Sequence, residues 1–287
     1  MKNIKRSILC IVLALVLALS MPTGFTVRAE GELVLPQGAD TEPLYLPDNT
    51  IFDPVFYATY NQDVAIALGT TRLELYKHYI KYGRREGRVY HAPYVRAQVV
   101  SEDGTMGCTE VVNANGVITR TYVNLVTGEQ KVEQEAPVAF TYLSDVSTPY
   151  KTKINRAINV QTASSRINNQ ILQPGQEFSY SRTILPRTRE NGYVEAPQIV
   201  NKEYVTGVGG GICQVSSTLY ASLLDAGLPV LERHAHSLPV SYIGPGRDAT
   251  ISGLALDLRF ANVLDRPMAI ESFCTNGYIT VMLIALG

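Results

Sequence analysis

The stretch best equipped for chemistry runs GVGGGICQVSSTLYASLLDAGLPVLERHAHSLPVSYIGPGRDATI, from Gly207 to Ile251. It holds a thiol, Cys213, then two histidines, His234 and His236, then a carboxylate, Asp248. A free cysteine titrates near pH ~8.5, so a thiol nucleophile working at neutral pH needs a histidine or a helix end to raise its thiolate fraction. The histidine in turn needs a group that fixes its tautomer and orientation. Cysteine, histidine and aspartate in that order supply all three parts. In an extended segment His234 and His236 face the same way. His236 is preferred as the base because Ser237-Leu238-Pro239-Val240 reads as a continuing buried strand. Gly209-Gly210-Gly211 lets backbone approach a substrate closely and offers N–H donors, and Gln214 adds a side-chain donor. The expected roles follow. Cys213 is the nucleophile, His236 the base and Asp248 its orienting partner. Gln214 and the Gly210–Gly211 backbone hold the oxyanion, and Gly209, Gly210, Gly211, His234 and Arg247 bind substrate.

The elements that must position these groups are legible around them. Val215, Leu219, Leu223 and Ala226 recur at helical spacing and Gly227 fits the stop, so a helix opens at or beside Cys213. Its unsatisfied N–H groups and positive dipole end favour a thiolate there. Pro229–Leu231 reads as a strand, Gly244-Pro245-Gly246 as a turn, and Arg247–Ile251 as a second strand. Each piece alone has a plainer reading: a small buried thiol, a tight glycine contact, a surface histidine, a turn cap. Their order is what points to thiol-dependent acyl transfer. Zinc held by the His-x-His, Cys213 and Asp248 is a weaker reading, because neither HExxH nor CxxC is present. The glycines lack the Lys-Ser/Thr of a phosphate loop, no G-x-G-x-x-G opens a helix, and Ser216 and Ser217 sit in no G-x-S-x-G elbow. No cofactor or metal is implied.

The rest of the chain divides by pattern. Residues 30–50 are rich in proline, glycine and acids and read as a tether. Residues 51–92 read as a small helical module. Asp53-Pro54 caps it, Phe56, Tyr57, Tyr60, Val64 and Ala67 share a face, and Asn61-Gln62-Asp63 makes a turn; Thr71 with Glu74 is a capping box and Gly83 a stop. Residues 93–140 alternate as hairpins, with Asn115-Gly116 in a primed turn and Thr127-Gly128-Glu129 in the next. Residues 141–287 form the domain that carries the chemistry. A helix is expected over 152–171 with Ile154, Ala157, Ile158, Ala163 and Ile167 on or near one face, and Tyr278–Leu286 has the length of a buried strand.

Composition bounds the function. The chain has 287 residues, 46% hydrophobic and 18% charged, which suits one or two folded domains and excludes a disordered, collagenous or coiled-coil chain. Lys2, Lys5 and Arg6 precede the apolar run Ile8–Leu19, and Val27-Arg28-Ala29 fits a cleavage site, so residues 1–29 read as a secretory signal peptide cut after Ala29. That run is short of the ~20 residues needed to span a bilayer, and no later run is longer, so no transmembrane segment is expected after cleavage. With Lys2, Lys5, Arg6 and Arg28 removed, the net charge moves from −1 to −5: a mildly acidic secreted or wall-associated protein with no basic excess for nucleic acid. Cys108, Cys213 and Cys274 remain, allowing at most one internal disulfide; pairing Cys108 with Cys274 leaves Cys213 free.

Three resemblances add to this reading. Over about residues 145–275, the motifs PGQEFS, GGGICQVSSTLY, ERHAHS and GRDAT followed by DLRFAN resemble the VanW family. One departure is Leu185-Pro186-Arg187-Thr188, where that pattern has Gly-Pro-Arg-Thr. The family takes its name from an accessory gene in glycopeptide-resistance clusters, which implies a bacterial cell envelope and peptidoglycan or its peptides as partner. Residues 51–91 resemble a short module of bacterial exported proteins. Gly-x-Cys opening a helix, followed by a histidine and an aspartate, is also similar to the core of transglutaminase-like cysteine enzymes. The expected fold is α+β: a VanW-like domain with a Cys-bearing helix on a mostly antiparallel sheet, preceded by the helical module and hairpins. The leading expectation is a thiol-dependent acyl-transfer or amide-hydrolysing enzyme acting on wall peptides. The alternatives are a non-catalytic wall-binding module, with Tyr193, Tyr204, Tyr220 and Tyr242 along its groove, and a structural envelope protein.

Overall fold

A computed structural model describes residues 41–200 and 202–287. The signal segment expected over residues 1–29, and the tether as far as residue 40, lie outside the described residues. The fold is α+β, with short helices and several antiparallel sheets. Two compact units form. One holds residues 41–44, Ile51–Leu75 and Val89–Pro137; the other holds Tyr45–Thr50, Tyr76–Arg88 and Val138–Gly287.

In the first unit, the Asp53 carboxylate accepts the Phe56 N–H at 2.9 Å and Pro54 occupies the first turn, which starts helix α1 (Pro54–Tyr60). Asn61 interrupts it before α2 (Gln62–Leu68). The buried Asn61 amide donates to the Tyr57 and Val89 carbonyls, both at 2.9 Å. This break resets the helical phase. Tyr57, Ala58, Val64 and Ala65 are buried, whereas Tyr60 and Ala67, expected on the inner face, are exposed. Helix α3 (Arg72–His78) follows. Strands β1 (Tyr94–Val100), β2 (Met106–Val112), β3 (Ile118–Asn124) and β4 (Gln130–Glu135) then form an antiparallel meander in chain order. The β2–β3 link spans 113–117 and only Gly116 has positive φ, at 84°. A primed two-residue turn needs positive φ at its first centre, and Asn115 has none, so that expectation is corrected to a longer loop.

The second unit is built on a sheet in the order β5 (Phe140–Pro149), β13 (Tyr278–Leu286), β12 (Met268–Thr275), β6 (Gln170–Leu172), all antiparallel. Helix α4 (Asn155–Ile167) packs on β12, and helix α6 (Ile212–Asp225) packs on β5 and β13. A shorter helix, α5 (Tyr180–Ile184), lies between them in sequence. Ala157, Val160, Ala163 and Ile167 of α4 face the core. Ile154 and Ile158 do not, being 45% and 43% exposed: the helix starts later than expected and buries Val160 and Asn159 instead. Short hydroxyls join α6 to the sheet. Ser144 donates to the Ser222 carbonyl at 2.7 Å, Ser222 to the Val281 carbonyl at 2.9 Å, and Thr148 and Thr218 share a bond of 2.8 Å. Gly227, at φ +67°, closes the helix while the Leu228 N–H donates back to Leu223 at 2.9 Å. A smaller sheet joins β10 (Val230–Glu232), β11 (Arg259–Ala261) and β7 (Glu177–Ser179), and β8 (Glu195–Val200) pairs with β9 (Glu203–Val208) as a hairpin. Residues 237–249 form no strand, so the buried strand expected at Ser237–Val240 and the strand expected to open at Arg247 are absent; Thr250 makes only an isolated bridge to His234. The proline and glycines of this stretch hold it in turns.

Cys108, Cys213 and Cys274 are all free thiols, so the pairing considered for Cys108 and Cys274 is not formed. Glu271 on β12 is fully buried. The Tyr76 hydroxyl donates to its Oε2 at 3.4 Å, and burial pushes its carboxyl up to about 8. No helix among the described residues is long and apolar enough to cross a membrane.

Candidate functional site

Three glycines carry the chain from β9 into α6, and the last two have no room for a side chain. The Gly210 backbone lies against β8, where an added Cβ would sit 2.4 Å from the Ala196 carbonyl oxygen. Gly211, the residue before the helix, has φ +112°, and a Cβ there would meet Arg156 Cγ at 2.7 Å. The buried Asn159 amide pins this loop by donating to the Gly210 and Val194 carbonyls, both at 2.9 Å. Cys213 is therefore the second residue of α6, partly buried at the floor of a groove of about 1350 Å³. Its backbone N–H has no acceptor among the described residues, as expected of a helix's first turn.

The segment after Gly246 is tied to the same helix end. Ser216 donates to the Ala249 carbonyl at 2.7 Å and the Ala249 N–H donates to Ser217 Oγ at 2.9 Å. This brings Asp248 behind the site and Thr250 beside it, with Oγ1 3.8 Å from the Cys213 sulfur. Asp248 Oδ2 accepts both the backbone N–H and the Nδ1–H of His236, at 2.7 Å each. Its Oδ1 accepts from Arg233 Nη2 at 2.9 Å, and Arg233 Nε donates to the Asp248 carbonyl at 2.7 Å. With Nδ1 engaged by Asp248, Nε2 is the ring nitrogen left for the hydrogen bond between His236 and the Cys213 thiol.

The electrostatics follow from this arrangement. Burial pushes the Cys213 thiol up, but hydrogen bonding and charge interaction with His236, together with the Ile251 backbone, outweigh it, and the thiol lies below its ordinary value. Burial pulls the His236 imidazole down, yet Cys213 and Asp248 outweigh burial and raise it. The two shifts favour one state, thiolate beside imidazolium. The Asp248 carboxyl is raised by burial but held below its usual range by the His236 N–H groups.

Other expected site residues go elsewhere. His234 points its Nε2 at Glu232 Oε1, 3.0 Å away, and does not line the groove that His236 lines. Arg247 pairs with Asp225, both bonds 2.8 Å, at the far end of α6. Gln214 is fully buried: its Nε2 donates to Thr148 Oγ1 at 2.9 Å and to the Pro149 carbonyl at 2.8 Å, and its Oε1 accepts from Arg156 Nη1 at 2.8 Å. Both amide hydrogens are thus directed into the protein. Gly209 and Gly211 line the groove with Cys213 and His236. Among the described residues no three His, Cys, Asp or Glu side chains gather as a metal site.

Sequence reasoning missed Arg156, whose guanidinium reaches Gln214 and lies 5.7 Å from the Tyr242 ring centre. It also missed Asn159 and Thr250. Arg156 and Asn159 sit on the far side of a long sequence gap from Cys213, and the amphipathic pattern of α4 offered no sign of them.

Residues 155–284 match the family described as VanW like protein, and the chain carries a VanW-like domain there. Over 129 residues it is 40% identical to the uncharacterized protein YoaR of Bacillus subtilis (strain 168), covering 45% of this chain and 43% of that one. Over 116 residues it is 30% identical to the vancomycin B-type resistance protein VanW of Enterococcus faecalis (strain ATCC 700802 / V583), covering 39% and 42%. The chain thus spans less than half the length of each of these relatives. No solved structure matches it.

Proposed function

We propose that the protein is an exported thiol-dependent acyl-transfer or amide-hydrolysing enzyme acting on cell-wall peptides. The observation that carries the reading is the Cys213–His236–Asp248 relay, with the thiol lowered and the imidazole raised. The wall context rests on the signal-like first 29 residues and on the likeness to a resistance protein named VanW.

In this reading the Cys213 thiolate attacks an amide carbonyl, and the unclaimed Cys213 N–H meets the developing oxyanion. His236 passes its proton to the leaving nitrogen, the C–N bond breaks and a thioester forms. Water or an acceptor amine then gives its proton to His236, attacks the thioester and releases the thiol. Asp248 holds the ring in the tautomer that keeps Nε2 on the sulfur. Gln214 is a positioning residue, tying Arg156 to β5 rather than touching the oxyanion.

The test is the alkylation rate of native Cys213 against pH, in wild type and His236→Ala, with Cys108 and Cys274 followed in the same sample by peptide mapping. The lowered thiol predicts a plateau reached well below pH ~8.5, and its loss in the variant. A Cys213 that reacts only after unfolding sinks the catalytic reading and leaves wall binding, checked by sedimentation with purified peptidoglycan.

A further inference from the structure

The charges lining the groove are of one sign. Its walls carry Lys151, Arg156, Arg187 and Lys202, and no aspartate or glutamate. None of the four makes an ion pair with a carboxylate among the described residues. Elsewhere in the same unit Arg189, Arg247, Arg259 and Arg266 are answered by Glu195, Asp225, Glu177 and Asp265, whereas Arg166 donates to backbone carbonyls and the Asn191 amide. What sets the groove apart is four such cations gathered with no acid among them.

Arg156 is the sharpest case. It is partly buried between Gly211 and Tyr242, and its hydrogen bond among the described residues is the one from Nη1 to Gln214. Burying a guanidinium without an anion is unfavourable unless an anion arrives. Its planar fork fits a carboxylate in two parallel bonds, and the neighbouring ring face suits its flat side.

We infer that the Cys213 groove selects an acyl donor bearing a free carboxylate, which pairs with Arg156 while Arg187, Lys151 and Lys202 draw it in. This inference rests on the thiol reading above and deepens it by naming the substrate's charge. Arg156 is assigned to substrate binding, distinct from the proton relay of His236 and Asp248.

The test uses two alkylating reagents of the same chemistry and different charge, iodoacetate and iodoacetamide, at a pH on the Cys213 plateau. Cys108, beside Glu110, is the internal reference. The iodoacetate-to-iodoacetamide rate ratio at Cys213 should exceed that at Cys108 by about tenfold, the scale of one partly screened charge pair. Arg156→Gln should remove most of that excess and Arg156→Lys should keep part of it. Should Arg156→Gln fail to fold, the exposed pair Lys151→Gln/Lys202→Gln should lower the ratio about threefold, as should about 1 M salt, where the screening length is about 3 Å. N-acetylalanine should slow iodoacetamide labelling more than N-acetylalaninamide or inorganic phosphate does.

A Cys213 ratio equal to that of Cys108 overturns the inference and leaves the thiol reading standing. Equal slowing of both reagents in Arg156→Gln also overturns it, making Arg156 a general activator of the thiol. Protection by phosphate but not by N-acetylalanine overturns the commitment to a carboxylate. A Cys213 that reacts with neither reagent in the folded protein overturns the thiol reading itself, and the acyl-donor inference with it.

Discussion

In the sheet of residues 94–135, Arg96 and Arg120 both donate to Glu110, and Arg120 reaches on to Glu135 at 2.7 Å. The thiol of that sheet, Cys108, is pushed up by burial and then by Glu110. At the head of α6 the nearest titratable partner of the thiol is an imidazole oriented by an aspartate, and the groove's arginines meet no carboxylate. One residue type is thus driven in opposite directions by what surrounds it. Where opposite charges are matched inside the protein they brace a surface; where one sign is left open beside a lowered thiol, the match is left for a ligand. A cysteine's identity says little about reactivity until its neighbours are known.

The largest expected effect on this contrast comes from Asp248→Asn. The substitution keeps the side chain's size but removes the charge that accepts the His236 Nδ1–H, so the ring can adopt the wrong tautomer. We expect the Cys213 alkylation rate at neutral pH to fall by about 10²-fold, within the range associated with a positioned acid or base, while Cys108 is unmoved. An unchanged rate means that the carboxylate does not prepare the histidine, and that the two thiols differ less in their activation.

Glu271 sharpens the contrast from the other side, as a buried acid with no cation that gives up its charge instead of being answered. Its folded value of about 8 lies far above the ordinary carboxyl, so between those two values the folded state binds more protons than the unfolded one and stability falls as pH rises. Glu271→Gln should therefore raise the melting temperature at pH 8, by a stabilisation on the order of 2 kcal/mol, with the gain shrinking toward pH 5. Equal gains at both pH values show a carboxyl that titrates alike in the folded and unfolded chain.

The smallest effect is expected at Glu110→Gln. Removing this carboxylate takes away one cause that raises Cys108 and leaves Arg120, which lowers it, less neutralised. Alkylation of Cys108 should quicken at pH 8 by less than about threefold, because the pair is close to solvent. A change as large as that at Cys213 removes the distinction between the two regions.

Much of this was readable along the chain. Val215, Leu219, Leu223 and Gly227 announce α6 and its end, and the helix forms over Ile212–Asp225. The apolar run at Tyr278 became the buried strand β13. Cys213, His236 and Asp248 were each picked by type and order. The reason for preferring His236 fails, because Ser237–Val240 is not a strand; what holds the ring is Asp248, which accepts from its backbone N–H and its Nδ1–H. His234 and Arg247 lie in the same motifs but are claimed by other acids: His234 by Glu232, two residues back in the chain, and Arg247 by Asp225, 22 residues away, whose approach no local pattern encodes. Gln214, chosen for its place beside the thiol, points inward to Thr148 and Pro149.

What the sequence alone determined, then, is the set of local facts: which segments are helical or extended, where glycine breaks them, and that a thiol stands at a helix start. These depend on neighbours within a few residues, whose spacing is explicit. Which charges are answered, which amide hydrogens are spent and which arginine stands open beside the thiol were decided by the tertiary structure. Those outcomes turn on partners brought together across 58 residues, as with Arg156 and Gln214, and only the packed fold sets such distances.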